Sequence, residues 1–442
     1  MKPQSLLTLA ILLSLGLSGC DGGRVNPPNV TVSFIHAAPS QGIISVRREE
    51  SLAADLNYRE STTRSFDADI YDFHFDIVPA GSVTVRAVSF TYELVSGTDY
   101  TIVATELGGQ FQQLILEAPS FDPDSTNAQV ASLHMAPTLG TVDVFVEAPG
   151  ADLLSAVPLG TLSFGENLAP GTIDAGDYEF TLTARASPGT VLLRSLTFTL
   201  DAGQAALFTL IDGANEGIAP LSVTVSGSTN FAFVDSSLLS GIRVINAISD
   251  RSELDVGIDN EFSPPLFPEL IFDTVSAYDE TVAPGTHDLT ARRTANPSVL
   301  EVDFAFTLNA GRLGTFFIAN APGATATSFS VDDYRPITGE GKISLYNAAQ
   351  LFAFVDIFIA TSGTDLNTVP AIASLLPGTS FPGIRIAEGD FDLTIREGST
   401  ETVLAGPTPI TLNAGGFYGI LITDSASTPG ATVDLSLLDD FP

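Results

Sequence analysis

The chain has 442 residues, of which 44% are hydrophobic and 16% charged, so it has room for three or four domains with buried cores and lacks the composition of a disordered tail. Its formal net charge of −34 argues against nucleic acid as a partner, because an acidic chain without a basic stripe repels phosphates. The single cysteine excludes an intrachain disulfide.

The first predicted element is a secretion signal at residues 1–19. Lys2 gives a positive start, and the apolar run Leu6–Leu17 is shorter than the roughly 20 residues that cross a bilayer. The tetrapeptide "LSGC", which ends at Cys20, resembles the bacterial lipobox. That resemblance implies cleavage before Cys20 and attachment of lipid to it. An ordinary signal peptide that happens to contain a cysteine is the alternative.

Lipid on Cys20 predicts a membrane as a partner and the bacterial cell envelope as the location, facing the periplasm or the exterior. Several acyl chains on one residue anchor a protein stably, whereas one chain is marginal. Asp21 resembles the signal that retains lipoproteins in the inner membrane of enteric bacteria. In other bacteria this position has a different effect on sorting, so the inner and the outer membrane are both expected locations. Residues 20–28 are then a tether to the first folded segment.

Four segments share one pattern, in which a short strand, a polar turn and a second short strand follow one another. The first strand carries His or Asn near its end, and Ser or Asp follows nine residues later in every copy. The first position holds His36, His134, Asn246 and Asn347, and the second holds Ser45, Asp143, Asp255 and Asp356. This fixed offset predicts four domains of one kind in tandem.

Two glycine turns continue the pattern downstream. The first lies at Gly81, Gly176, Gly285 and Gly389, and the second at Gly97, Gly203, Gly311 and Gly415. The two are 27, 26 and 26 residues apart in the last three copies but 16 apart in the first, which predicts the loss of about one hairpin there. Segments rich in Pro, Ser, Gly and Asp delimit the domains at 29–118, 127–226, 240–336 and 340–442. Because the linkers are short, we expect a semi-rigid string.

The alternation of apolar and polar residues predicts strands throughout. In the second copy, "DYEFTLTAR" from Asp177 has the period of a strand with one buried face, and about seven such segments occur. The segment "SLAADLNY" near Leu52 is expected to form no more than a turn. The predicted fold is all-β: four tandem immunoglobulin-like antiparallel β-sandwich domains after a signal peptide.

A strand ending in His-Ala or Asn-Ala, a following "VDV" or "VDI", an "AG" or "PG" turn and a later "L-x-A-G" together resemble the bacterial domain-of-unknown-function family 4397. The resemblance covers almost the whole chain after the signal, in four copies. It implies a secreted or anchored protein made of tandem copies, without an established activity. Ser45 departs from the family's Asp, and the third and fourth copies, with "NAIS" and "NAAQ", lack the Pro that occurs in the first loop of the first two copies.

The repeated polar positions favour a structural role. His36, His134, Asn246 and Asn347 share strand parity with apolar residues, and a buried His or Asn usually bonds a loop backbone. Asn cannot transfer a proton, so the exchange of His for Asn argues against general acid–base catalysis. Asp143, Asp255 and Asp356 are expected to face away from the core, on a solvated face or accepting amide hydrogens of a turn. A binding role along a repeated surface is the alternative.

The sequence predicts no catalytic or cofactor site, and its one candidate metal site is for calcium. The scattered acidic residues suggest a solubilising surface, with attraction of divalent cations and adaptation to a salty habitat as alternatives. Asp122, Asp124 and Asn127 are weak calcium candidates, because "DPDSTN" offers oxygen ligands but lacks the glycine and distant Glu of the helix-loop-helix calcium loop. No "G-x-S-x-G", phosphate loop or dinucleotide fingerprint occurs, and no cofactor is expected.

These observations predict a membrane-anchored extracytoplasmic lipoprotein that acts as a structural, adhesive or binding module and is not an enzyme. An extracellular polymer or protein is the expected ligand class, and repeated domains bind such ligands at several points. The alternative is an enzyme or accessory subunit that acts on extracellular polysaccharide or protein. The sequence does not indicate the oligomeric state.

Overall fold

A computed structural model describes residues 29–81, 83–120, 126–213, 217–321, 324–398, 400–427 and 430–439. Within these ranges the regular elements are all β-strands, which confirms the predicted all-β class. The strands form eight sheets, and the sheets pair into four sandwich-like units.

The strands have the following bounds. The first unit contains β1 (Asn29–Ala37), β2 (Ile43–Arg48), β3 (Ser51–Leu56), β4 (Ser61–Asp67), β5 (Ile70–Val78), β6 (Val85–Glu93), β7 (Thr98–Leu107) and β8 (Gln110–Pro119). The second contains β9 (Asn127–Met135), β10 (Val142–Glu147), β11 (Gly160–Leu162), β12 (Asn167–Asp174), β13 (Gly176–Ala184), β14 (Ser187–Arg194), β15 (Phe198–Leu200), β16 (Ala205–Asp212), β17 (Leu221–Gly227) and β18 (Phe231–Phe233). The third contains β19 (Ser240–Ala247), β20 (Leu254–Ile258), β21 (Phe267–Leu270), β22 (Thr274–Val275), β23 (Asp279–Val282), β24 (Gly285–Arg293), β25 (Asn296–Leu308), β26 (Leu313–Ala321) and β27 (Ala324–Val331). The fourth contains β28 (Glu340–Asn347), β29 (Val355–Ala360), β30 (Ala373–Leu375), β31 (Thr379–Ala387), β32 (Gly389–Glu397), β33 (Val403–Leu412), β34 (Phe417–Asp424) and β35 (Val433–Asp439).

All four units follow one strand order. The first has sheets β4-β1-β7-β8 and β3-β2-β5-β6, and the fourth repeats it as β31-β28-β34-β35 and β30-β29-β32-β33. The second and third units follow the same plan with one strand split in two and, in the second, an extra edge strand, β18. The first strand of each unit pairs in parallel with a strand near its end, so the sheets are antiparallel except for this pair. This order differs from the ABED and CFG sheets of immunoglobulin domains.

Each unit closes over its own apolar core. The four largest clusters of buried apolar residues each draw on the two sheets of a single unit. Phe34 and Phe73 lie in the first core, 5.9 Å apart between ring centroids, and Phe180 stacks on Phe208 in the second at 4.8 Å. Burial of this apolar area stabilises each unit without an intrachain disulfide.

The first unit retains the hairpin that the glycine spacing predicted to be lost. Its fifth strand begins at Ile70, and the register places Asp69 where the second unit has Gly176. Gly81 instead follows this strand, in the turn before β6, so the predicted deletion was a misalignment. The segment predicted as a turn near Leu52 is also a strand, β3, which pairs with β2.

Neighbouring units share apolar interfaces outside these cores. One cluster joins Ile35, Ala37, Tyr58 and Val103 of the first unit to Leu133, Met135 and Ile211 of the second. A matching cluster joins Ile245, Ala247, Phe317 and Ala319 of the third to Tyr346, Ala348 and Leu421 of the fourth. The outer faces of the parallel-paired sheets therefore form joints between successive units.

Two further joints make the arrangement closed. The amide of Ile218 in the second unit donates to the carbonyl of Gly311 in the third, at 3.0 Å. At the other end, the Glu340 carboxylate of the fourth unit accepts from the Ala80 amide of the first at 2.7 Å. Arg385 pairs with Glu340 at 2.6 Å and donates to the Val78 carbonyl at 2.9 Å. The expected string is therefore wrong, because the first and fourth units touch.

We predict that Glu340→Gln loosens this joint. Glu340 is 3% exposed and holds Arg385 with both of its oxygens, so the neutral amide leaves the guanidinium without its counter-charge and weakens the bond to Ala80. The Ala80 amide should exchange its hydrogen about tenfold faster, measured by amide hydrogen exchange, because a loss of about 1.4 kcal/mol gives that factor.

The matched control is Glu388→Gln, which removes the same charge from an exposed position nearby in the fourth unit. It should leave exchange at Ala80 unchanged. Equal exchange at Ala80 in wild type and Glu340→Gln would contradict the closed arrangement.

Candidate functional site

The repeated His position lies buried at the end of the first strand. His36 and His134 are 0% exposed. The Ala38 amide donates to Nδ1 of His36 at 3.2 Å, so the ring proton is on Nε2, which donates to the Gly42 carbonyl at 2.8 Å. His134 repeats this with Ala136 and Gly140, at 3.3 and 3.1 Å. Both rings hold the loop between the first two strands.

The Asn residues of the later copies make equivalent bonds. Oδ1 of Asn347 accepts from the Ala349 amide at 3.0 Å, and Nδ2 donates to the Leu375 carbonyl at 2.9 Å. Oδ1 of Asn246 likewise accepts from Ile248, and its Nδ2 donates to Ser252 and Leu270. The two side-chain types interchange because each accepts from the amide two residues on and donates to a backbone carbonyl. In the third unit the donor reaches the loop at Ser252 and the edge strand at Leu270, whereas in the fourth it reaches the edge strand at Leu375.

The surroundings of the two histidines keep their rings neutral. Burial lowers the pKa of His36 to about 3, and the nearby Arg335 charge acts in the same direction. Burial also lowers the pKa of His134. A neutral ring bonded to backbone through both nitrogens suits loop fixation and does not suit proton transfer near neutral pH.

The repeated Asp position faces away from the core but is covered by neighbouring chain. Val142 and Val144 belong to the core, whereas Asp143 between them lies on the opposite face and is only 7% exposed. Its carboxylate accepts from the Thr161 hydroxyl at 2.6 Å and from the Ala186 amide at 2.7 Å. The structure thus places this residue under a turn, not on a solvated surface.

In the third and fourth copies this carboxylate is also hydrogen-bonded within the unit. Asp255 accepts from the Glu269 amide at 2.9 Å and from the Thr294 hydroxyl at 3.1 Å, and Asp356 accepts from the Ser374 hydroxyl. These bonds fix the edge strand or the hairpin turn beside the second strand of the unit.

In the first copy the hydroxyl and the carboxylate have changed places between the second and third strands of the unit. Ser45 lies opposite Asp55 in the register and donates to it, whereas Asp143 lies opposite Thr161. The departure at Ser45 is therefore compensated by an acid on the adjacent strand. The sequence does contain the compensating acid, Asp55, ten residues after Ser45. Comparison of the four copies one position at a time did not detect it.

Three predicted site residues, Cys20, Asp122 and Asp124, lie outside the described residues. Asn127 is described, and its Nδ2 donates to the Thr126 hydroxyl at 3.1 Å. In the parts of the chain that the structure describes, no three His, Cys, Asp or Glu side chains group to hold a metal ion. Over the same ranges there is no helix of the length and apolarity that a membrane span requires.

A buried polar cluster marks the joint between the third and fourth units. The Arg243 guanidinium pairs with Asp439 and lies 5.0 Å from the centre of the Tyr278 ring. The Tyr278 hydroxyl donates to Asp332 at 2.7 Å, and burial raises the pKa of Asp332. Because each charge is paired or hydrogen-bonded, this cluster fixes the orientation of the two units.

A cavity lies where the first three units meet. It measures about 570 Å³ and has an apolar wall from the second unit. Arg59 of the first unit, and Asn309, Ala310 and Arg312 of the third, complete it. Its volume lies in the range of small-molecule sites. Sequence analysis missed this cavity because its walls come from segments far apart in the chain.

The chain belongs to the family described as Domain of unknown function (DUF4397). The family matches residues 30–145 and 240–358, which together make up more than half of the chain. Each match runs from the first strand of one unit into the second strand of the next. No curated protein matches the chain significantly. The predicted family and its tandem occurrence are thereby confirmed.

We predict that His36→Ala destabilises the first unit by about 2–6 kcal/mol, because two buried backbone groups lose their partners at about 1–3 kcal/mol each. His36→Asn should cost less than half as much, since Asn fills this role in the later units. The free energy of opening is measured from hydrogen exchange of amides in β1.

His74→Ala is the control within the same unit. The His74 ring is bonded to the Ser89 hydroxyl, at 3.1 Å, and its removal should cost less than that of His36. A cost for His36→Asn equal to that for His36→Ala would contradict the loop-fixing role.

Proposed function

We propose that the chain is a lipid-anchored extracytoplasmic protein of the bacterial cell envelope, and that its four sandwich units act as one preassembled structural, adhesive or binding body. The anchor rests on the signal-like segment and on the lipobox resemblance at Cys20. The body rests on a single observation, the closed set of joints described above.

The closed arrangement favours binding of a large partner at several points. Units held in fixed positions lose less conformational freedom when they bind than units on mobile linkers. Several weak contacts from one body also combine into a stronger attachment. An extracellular polymer or protein is therefore the proposed ligand class.

The surface charge narrows this class. The chain has 52 acidic against 18 basic residues. Most of the described basic side chains are ion-paired with carboxylates or lie against aromatic rings. Polyanions such as nucleic acids are disfavoured by this surface. Neutral or basic polymers are the better-matched partners.

We predict that Cys20→Ser abolishes acylation and releases the protein from membranes. The hydroxyl does not replace the thiol as the lipid acceptor. Host cells are labelled with an alkynyl fatty acid, and the protein is followed by in-gel fluorescence and by membrane fractionation.

Ser18→Ala is the control, because it keeps a small residue near the expected cleavage point and should retain the label. An unlabelled wild-type protein, or equal labelling of Cys20→Ser, would contradict the proposed anchor.

A further inference from the structure

We propose that the cavity between the first three units binds a small amphiphilic anion, namely a carboxylate attached to an apolar body. This inference goes beyond the polymer or protein binding proposed above, because it assigns a small-molecule ligand class to one cavity. It does not depend on the lipid anchor.

The apolar wall of this cavity is unusually open to solvent. Leu196 is 76% exposed and Phe231 is 38% exposed. Phe198, Phe231 and Phe233 follow one another along the wall with ring centroids 6.2 and 6.1 Å apart. Neighbouring rings are tilted by 52° and 32°, so they do not form the flat platform on which sugar rings stack. An apolar chain or a single ring fits between them better.

The remaining wall is positively charged. Arg59 and Arg312 line the cavity, and no Asp or Glu occurs among its described lining residues. Four smaller cavities in the described structure each include at least one carboxylate among their lining residues. In a chain with 52 acidic residues, a cavity lined by two arginines and no carboxylate is a distinctive site for an anion.

Both arginines also interact within the protein. A guanidinium carries five N–H donors, so it can share them between a protein partner and a ligand carboxylate. In the proposed site, Arg59 and Arg312 share their N–H donors between protein partners and the ligand carboxylate, and their positive charge attracts that carboxylate. The aromatic wall supplies apolar contact, and the guanidinium groups select for a negatively charged end.

The joints hold the two arginines in place. The Thr224 hydroxyl of the second unit donates to the Arg59 carbonyl at 2.7 Å, which fixes the first unit against the second. The bond from Ile218 to Gly311 places the residue before Arg312 against the second unit. The site is complete only when three units are assembled, so a bound ligand stabilises that assembly.

The test uses decanoate as the probe and decanol as its neutral analogue, both below their aggregation limits. The protein is the chain from Asp21 onward, which lacks the lipid acceptor Cys20 and keeps every described residue. Isothermal titration calorimetry should show saturable decanoate binding with one site per chain. Decanol should bind about tenfold more weakly, because it lacks the charge.

Two exposed leucines of the second unit offer a matched pair of variants. Leu196→Glu adds a negative charge at the cavity and should weaken decanoate binding about tenfold or more. Leu154 is 77% exposed and does not line the cavity, so Leu154→Glu should leave the affinity within about twofold. Arg312→Gln should also weaken binding, whereas Arg185→Gln, at an exposed hairpin turn, should not.

Absence of saturable binding by the folded chain would overturn the proposal. Equal affinity for decanol would overturn its ionic part, and equal weakening by Leu196→Glu and Leu154→Glu would overturn its location. Circular dichroism melting confirms that each variant is folded. None of these outcomes bears on acylation of Cys20, so failure here is distinguishable from failure of the proposed anchor.

Discussion

The arrangement depends on burial of both faces of one sheet in each unit. In β1, Phe34 points into the core of its own unit, whereas its neighbour Ile35 packs against the second unit. In β28, Leu345 and Tyr346 divide in the same way between the fourth core and the joint with the third unit. A sheet that is apolar on both faces is stable only when both are covered. Each unit therefore requires its neighbour.

This constraint explains the positions of four basic residues at contacts between units. Joints that bury apolar sheet faces also bury polar groups at their rims, and these need partners. Arg243 and Lys342 each pair with a carboxylate beside the apolar joint of the third and fourth units, and Arg385 does so where the first and fourth units touch. Arg335 instead donates to the Pro39 and Gln41 carbonyls of the first unit, at 2.7 and 2.5 Å. These four cations therefore stabilise the contacts between units.

The repeat in the sequence was sufficient to predict the fold class and the separate cores, because strand alternation and turn glycines are local signals. It also identified the polar positions at His36 and Asp143. It did not predict the parallel strand pair, since that pair joins strands about 70 residues apart. The glycine comparison failed at Gly81 because an Ala-Gly turn there imitates the turn that precedes the fifth strand in later copies.

The joints were the main feature that sequence reasoning missed, although a signal was present. The strand β19 has all eight residues buried, and β9 carries Leu133 and Met135 on the face opposite its core residues. Apolar residues on both faces of a strand indicate coverage on both sides. The cavity at Arg59 and Arg312 had no local signal, because it forms only through contacts among three units.

The most direct test of the closed arrangement is the radius of gyration of the chain from Asp21 onward, measured by small-angle X-ray scattering. A closed body of four touching units should give a value near the roughly 22 Å expected for one compact body of this length. A value approaching twice that figure, as for four units in a line, would contradict the account.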